Sequence, residues 1–454
     1  MTRGGPGSYF CVEEHLAENS SVASRGQTIQ SQDLESDGTF SGVPRDNVAI
    51  PNAVIILFTV AALVYLALGF SHYIDRTGQD YAADLKHRWS QQLYVTKGVN
   101  PYFAREGFLS SEEGPLQIDP EIGPSVGVSY PPWSYVINQV LIPPLSWTAV
   151  TFYFSVWLLI GLFVQGLWVW HQGIPYGRRA AWMLCSASLA LYSNFMAIGL
   201  GQLSNIMIAA IIGWLYFSSQ ERPVLAGFFL FIALVKPQLT LFLLFVPLVR
   251  RDWKCLLTTG LLGVVSTGAI SLWFAEPPQE LLLQVLNSAG EFESGLLGFP
   301  GLLHRFGLVS NPSLLAPIGL VSFGLLAALL SFLYRDAPLP VIVTIPIVLG
   351  QMWAYSGRYD QNLLVFLLVA LCLLALARGT RRDWALFGGL FFVLWAPVDS
   401  PLWHIIEDWP VFIISLAGLA SLLHQEREHH MGNWIGGGRH TPRLTGSAPA
   451  VPRC

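Results

Sequence analysis

The chain has 454 residues, 53% of them hydrophobic and 12% charged, with a mean hydropathy of +0.49 and a formal net charge of −4. The charge fraction is about half that of an average soluble domain, and long apolar runs recur, so a soluble globular protein is excluded and an integral membrane protein is expected. The weak negative charge argues against a nucleic-acid partner. The 5 cysteines are scattered, odd in number and without a CxxC pair, which supports neither a zinc site nor a disulfide framework.

Residues 1–48 are rich in Ser, Gly, Asp and Glu with little apolar periodicity, and read as a disordered cytoplasmic tail rather than a cleaved signal peptide. The first span is Pro51–Phe70, whose length matches the roughly 20 residues that cross a bilayer. A polar stretch, 72–130, follows it. Further apolar segments lie near 149–170, 180–198, 203–218, 255–275, 313–334, 339–355, 361–377, 384–396 and 410–424. Two stretches are ambiguous. Trp133–Trp147 is short and contains Pro143–Pro144, so it either spans or re-enters. Val224–Val249 is interrupted at Lys236–Pro237, so it is either one long helix or a hairpin. Basic residues at Arg250, Arg251 and Lys254, and at Arg378, Arg381 and Arg382, orient both loops to the cytoplasm. Either solution leaves roughly twelve spans within 49–424, puts both termini inside and places 72–130 outside as a large first outer loop. The polar end, 425–454, reads as a second disordered cytoplasmic tail.

The candidate chemistry sits at the membrane edge. Asp75, Asp80 and Asp84 closely follow the first span; if Asp80 starts a helix, it and Asp84 share one face. Asp80 is the candidate general base and Asp84 its support. The plainer reading makes Asp80 a helix cap, with Lys86 and Arg88 on that helix's solvated face. Gln202, Asn205 and Lys236 are polar groups bordering or interrupting apolar segments, where such groups usually face a cavity or a partner; in a hairpin, Lys236 would simply occupy a turn. His304, Arg305 and Arg358 fall on the side that the positive-inside rule leaves poor in cations, and arginine's planar fork suits phosphate. Asp360 lies beside Arg358. The stretch SYPPWSYVINQ, Ser129–Gln139, puts Tyr130, two prolines and Trp133 where the outer loop returns to apolar sequence.

These residues also carry a resemblance. QDY (Gln79–Tyr81), GVNPYF (Gly98–Phe103), YPPW (Tyr130–Trp133), GQLSN (Gly201–Asn205) and AGFFLFIALVKPQ (Ala226–Gln238) occur in an order and spacing that resemble the polyprenyl-phosphate-mannose-dependent mannosyltransferases of glycosyltransferase family 87, in the membrane-embedded GT-C superfamily. The chain departs from the family at SGRYDQN, Ser356–Asn362, where a His-containing motif is usual. The resemblance implies an all-α GT-C-like bundle in a bacterial plasma membrane with its active site on the outer face. It implies a polyprenyl-phosphate-linked hexose donor, a lipid-linked or glycan acceptor, and inversion at the sugar. It places the acidic base at Asp80. The residues' own placement, rather than the resemblance, makes Arg305, Arg358 and His304 the expected donor-phosphate ligands and Tyr130, Gln202, Asn205, Lys236 and Asp360 the candidate lining of the site. No cofactor and no metal are expected, because no DxD-like pair is present. The competing readings are a transporter or flippase, motivated by polar breaks in apolar segments, and a non-catalytic scaffold subunit.

Overall fold

The computed structural model describes residues 50–75, 82–102, 130–289, 315–353, 357–397 and 409–435, together with Phe299, Leu303 and Gly307. All regular structure among these residues is helical, as a bilayer demands of a chain that must satisfy its own backbone groups. The helices are α1 (Asn52–Ile74), α2 (Ala83–Thr96), α3 (Pro132–Leu141), α4 (Trp147–Gly173), α5 (Arg178–Leu189), α6 (Tyr192–Gly199), α7 (Ser204–Ser219), α8 (Pro223–Ala233) and α9 (Pro237–Thr240). They continue with α10 (Phe245–Val249), α11 (Trp253–Phe274), α12 (Pro278–Ala289), α13 (Leu315–Leu333), α14 (Leu339–Ile342) and α15 (Thr344–Trp353). A 3-10 turn at Arg358–Leu364 leads into α16 (Val365–Arg378), followed by α17 (Arg381–Trp395) and α18 (Trp409–Ile435).

Four helical segments among the described residues are long and apolar enough to cross a membrane: Asn52–Ile74, Trp147–Tyr176, Trp253–Phe274 and Arg358–Arg378. A fifth is obtained if α5 and α6, bent by 49°, count as one broken span. Helix length alone therefore does not reach the expected twelve spans. Much of the remaining apolar sequence lies in shorter helices such as α7, α8 and α15. The polarity of the surface is inverted relative to a soluble protein: Leu63 on α1, Phe152 on α4 and Leu272 on α11 are 63%, 75% and 84% exposed, as lipid-facing side chains should be.

The ambiguous stretches acquire definite shapes. α3 has 10 residues and is therefore about 15 Å long, half the hydrocarbon thickness, so it does not span. Val224–Val249 is broken at Leu234–Lys236. Pro237 lacks the N–H needed there and crowds the carbonyl four residues earlier, so α8 stops at Ala233 and Lys236 takes φ −119°, ψ 79°. The helix that follows the first span, α2, begins at Ala83 behind Ala82, and Asp80 lies outside the described residues. The tail expected from residue 425 is helical as far as Ile435, because α18 continues past its apolar part; an exposed His424–Glu428 pair at 3.2 Å spans one turn there.

Candidate functional site

The site is built where helices end. α6 closes in a Schellman arrangement: Gly201 N–H donates to the Ile198 carbonyl at 3.0 Å and Gln202 N–H to the Ala197 carbonyl at 2.8 Å. Gly201 takes φ +68°, and a Cβ on it would lie 2.6 Å from that of Leu85, so both backbone and space require glycine. The remaining carbonyls of this turn receive α2 end-on. Ala82 N–H donates to the Gly199 carbonyl at 3.0 Å, and the Asp84 and Leu85 N–H groups donate to Leu200 at 3.1 and 3.2 Å. Ala82 itself is left-handed, at φ 45°. One glycine-closed turn thus fixes both Gln202 and the acidic entry of α2.

Gln202 is buried at the centre of a charged group. Its Oε1 accepts from Arg88 Nη2 at 2.9 Å and from Lys236 Nζ at 2.9 Å, and its Nε2 donates to the Asp84 carboxylate. Lys236 also donates to Asp360 Oδ1 at 2.8 Å, with both side chains buried. Asp360 is over-determined: it accepts from Ser204 Oγ at 3.2 Å and Gly357 N–H at 3.1 Å, and its carbonyl accepts from Gln351 at 3.0 Å. Two aromatic rings cover the cations. The Arg88 guanidinium lies 4.0 Å from the centre of the Tyr130 ring, and Lys236 Nζ lies 4.8 Å from that of Tyr359. Two carboxylates and two cations give formal neutrality, which is how buried charge is tolerated.

The aromatic junction explains itself here. Pro131 and Pro132 start α3, the Pro131 carbonyl accepts from Ser134, and Trp133 Nε1 donates to the Leu234 carbonyl at 2.9 Å, next to the break that frees Lys236. Tyr102 O–H donates to the Tyr130 carbonyl, tying GVNPYF to YPPW. The other end of α2 closes at Gly98. Beyond it, Asn100 donates to Glu276 at 2.8 Å and Gln284 at 3.1 Å, pinning the loop to the α11–α12 corner. Burial lowers the pKa of the half-buried His87 from its ordinary value, against the pull of Asp84, so it is neutral at pH 7; burial raises that of Tyr130, which stays protonated.

The structure thus brings Asp84, Tyr130, Gln202, Lys236 and Asp360 together. Asn205 stands in the adjoining layer, accepting from Asn362 at 2.8 Å. Arg358 donates to Gln361 at 3.2 Å and to the Val393 carbonyl at 3.4 Å. Asp80, His304 and Arg305 lie outside the described residues. Arg88 corrects the sequence reading: it is 3% exposed, whereas Lys86 is exposed. The signal was its phase. Leu85, Arg88, Gln92 and Val95 follow the i, i+3, i+7, i+10 pattern of one buried helix face. Among the described residues no group of three or more His, Cys, Asp or Glu side chains is arranged to hold a metal. Comparison with curated proteins and with solved structures finds no match, whereas residues 129–357, half of the chain, match the model of glycosyltransferase family 87.

Proposed function

The chain belongs to glycosyltransferase family 87 and is a membrane glycosyltransferase, and on that premise we propose that it moves a hexose, mannose in the leading case, from a polyprenyl-phosphate donor to a hydroxyl of a lipid-linked or glycan acceptor. The acceptor oxygen attacks the anomeric carbon and the carbon–oxygen bond to phosphate breaks. The configuration inverts, polyprenyl phosphate leaves, and Asp80 takes the hydroxyl proton. Arg358, His304 and Arg305 are proposed ligands of the donor phosphate. The active site is proposed to face the outer side of a bacterial plasma membrane.

The observation that carries this reading is the Asp84–Gln202–Lys236–Asp360 group, with Gln202, Lys236 and Asp360 buried and Asp84 half-buried, beside Tyr130, where the stretch that follows the first span returns to apolar sequence. A lipid-phosphate donor needs this placement: its tail stays in lipid while charge develops on its phosphate, and preorganised cations stabilise that charge. Broken helices around a buried ion pair also suit a transporter, and one experiment separates the two. Purified protein is incubated with a panel of polyprenyl-phosphate sugars and candidate acceptors, and released polyprenyl phosphate is measured. Release that requires an acceptor is expected. Transport of an intact lipid-linked sugar across proteoliposomes without release would favour the transporter.

A further inference from the structure

We propose that Arg88 is a ligand of the donor's phosphate group, within a binding seam between α2 and α3 that also takes up hydroxyl groups of the sugar. The proposal rests on the lipid-phosphate reading above and names a cation that reading did not include. Arg88 is 3% exposed, yet the N–H groups on its Nε and Nη1 have no hydrogen-bond partner. Leaving charged donors buried and unsatisfied is costly, and in native structures such groups usually await a ligand, ion or water. Lys236 differs, because Asp360 and Gln202 engage its ammonium.

The guanidinium is held for this task. Gln202 fixes Nη2 at 2.9 Å, and the Tyr130 ring lies 4.0 Å from Cζ. With Nη2 committed to Gln202, the Nε and Nη1 donors of the planar fork remain for an anion, and arginine binds phosphate through such donors. The same seam carries orphan acceptors. Gln92, one helical turn beyond Arg88, is 0% exposed and Asn138 is 1% exposed, and the Oε1 and Oδ1 of these amides have no partner. Gln92 Nε2 reaches the Tyr135 carbonyl at 3.4 Å, which places it against α3, and Asn138 is one turn further along that helix. Unsatisfied charged donors beside unsatisfied neutral acceptors complement a molecule that is both anion and polyol, as a glycosyl phosphate is.

The test uses full-length protein in detergent, with Arg88→Lys and Arg88→Gln. Three quantities are measured: the donor KM, the inhibition constant of unglycosylated polyprenyl phosphate, and the melting temperature. Charge-assisted hydrogen bonds to one group correspond to a loss of about 10- to 100-fold. Arg88→Lys, which keeps charge and loses the planar donors, is expected to raise donor KM and the product inhibition constant in parallel by that factor. Arg88→Gln is expected to raise both further. If Arg88→Gln does not fold, the Lys variant decides alone. A lower melting temperature with KM and the inhibition constant unchanged makes Arg88 purely structural and overturns the proposal. If wild-type protein binds a nucleoside diphosphate and ignores polyprenyl phosphate, the donor class has failed instead. Arg88 is then judged by whether the same variants weaken the nucleotide.

Discussion

Two apolar spans of similar length border the site and live in different solvents. Asn52–Ile74 has a mean hydropathy of 2.6 and is 11% buried in its most apolar window; Arg358–Arg378 has 2.2 and is 94% buried. Hydropathy reports only that each avoids water. It does not report whether lipid or protein replaces that water, because both are apolar. The difference lies in what each delivers. The first span ends where the acidic stretch Asp75–Asp84 begins. The second is entered through the turn holding Asp360 against Lys236. On this division the peripheral span leads to chemistry and the central one holds charge, and four sets of substitutions test it, the largest effect first.

Asp80→Asn keeps size and hydrogen bonding and removes the base. It is expected to lower kcat about 10²- to 10⁴-fold with donor binding retained, and Asp84→Asn much less. Turnover assays with donor titration check this. The reverse ranking would move the base to Asp84, and indifference to both would leave the acidic stretch without a catalytic role.

Lys236→Met leaves the Asp360 carboxylate buried without its cation, at a cost of roughly 3–5 kcal/mol. Lys236→Met combined with Asp360→Leu is expected to regain much of that, because no uncompensated charge remains. Melting of the two single variants and the double variant in detergent gives the coupling. Additive losses would mean that the pair is not a unit.

Leu368→Ala, at a fully buried position in the central span, is expected to destabilise by about 2–5 kcal/mol, and Leu63→Ala, 63% exposed on α1, by about 0.5 or less. Equal losses by thermal unfolding would erase the contrast between the spans.

The sequence made legible what depends on a residue's own chemistry. A lysine before proline inside apolar sequence marked a broken helix, and GQLSN and YPPW marked the turns that meet there. Hidden were facts fixed by partners far along the chain. Arg88 looks like a solvated helix charge because its neighbour Lys86 is one. Only the register set by Leu85 and Val95 turns it inward, beneath Tyr130. Hidden too was the start of α2 at Ala83, where the Gly199 and Leu200 carbonyls supply the first hydrogen bonds. The spans could be found and not counted, since α3 and α8 stop short for local reasons that hydropathy averages away.

The finest contrast is between two glycines with the same backbone task. Gly98 and Gly201 each close a helix at positive φ, +72° and +68°. Each gives its N–H to the carbonyl three residues back, Val95 or Ile198, at 3.0 Å. Alanine at either should pay the left-handed penalty, about 1–2 kcal/mol. At Gly98 nothing lies within 4 Å of an added Cβ, so Gly98→Ala should lose only that in a melting experiment and keep full activity. At Gly201 the new Cβ would meet Leu85 Cβ at 2.6 Å, closer than two carbons can approach. α2 must then move away from the α6 turn, taking Asp84 and Arg88 off Gln202, so Gly201→Ala should lose more stability and also turnover. Equal losses in stability with activity intact in both would mean that the docking of α2 on this turn tolerates displacement, and that the Gln202 group does not depend on it.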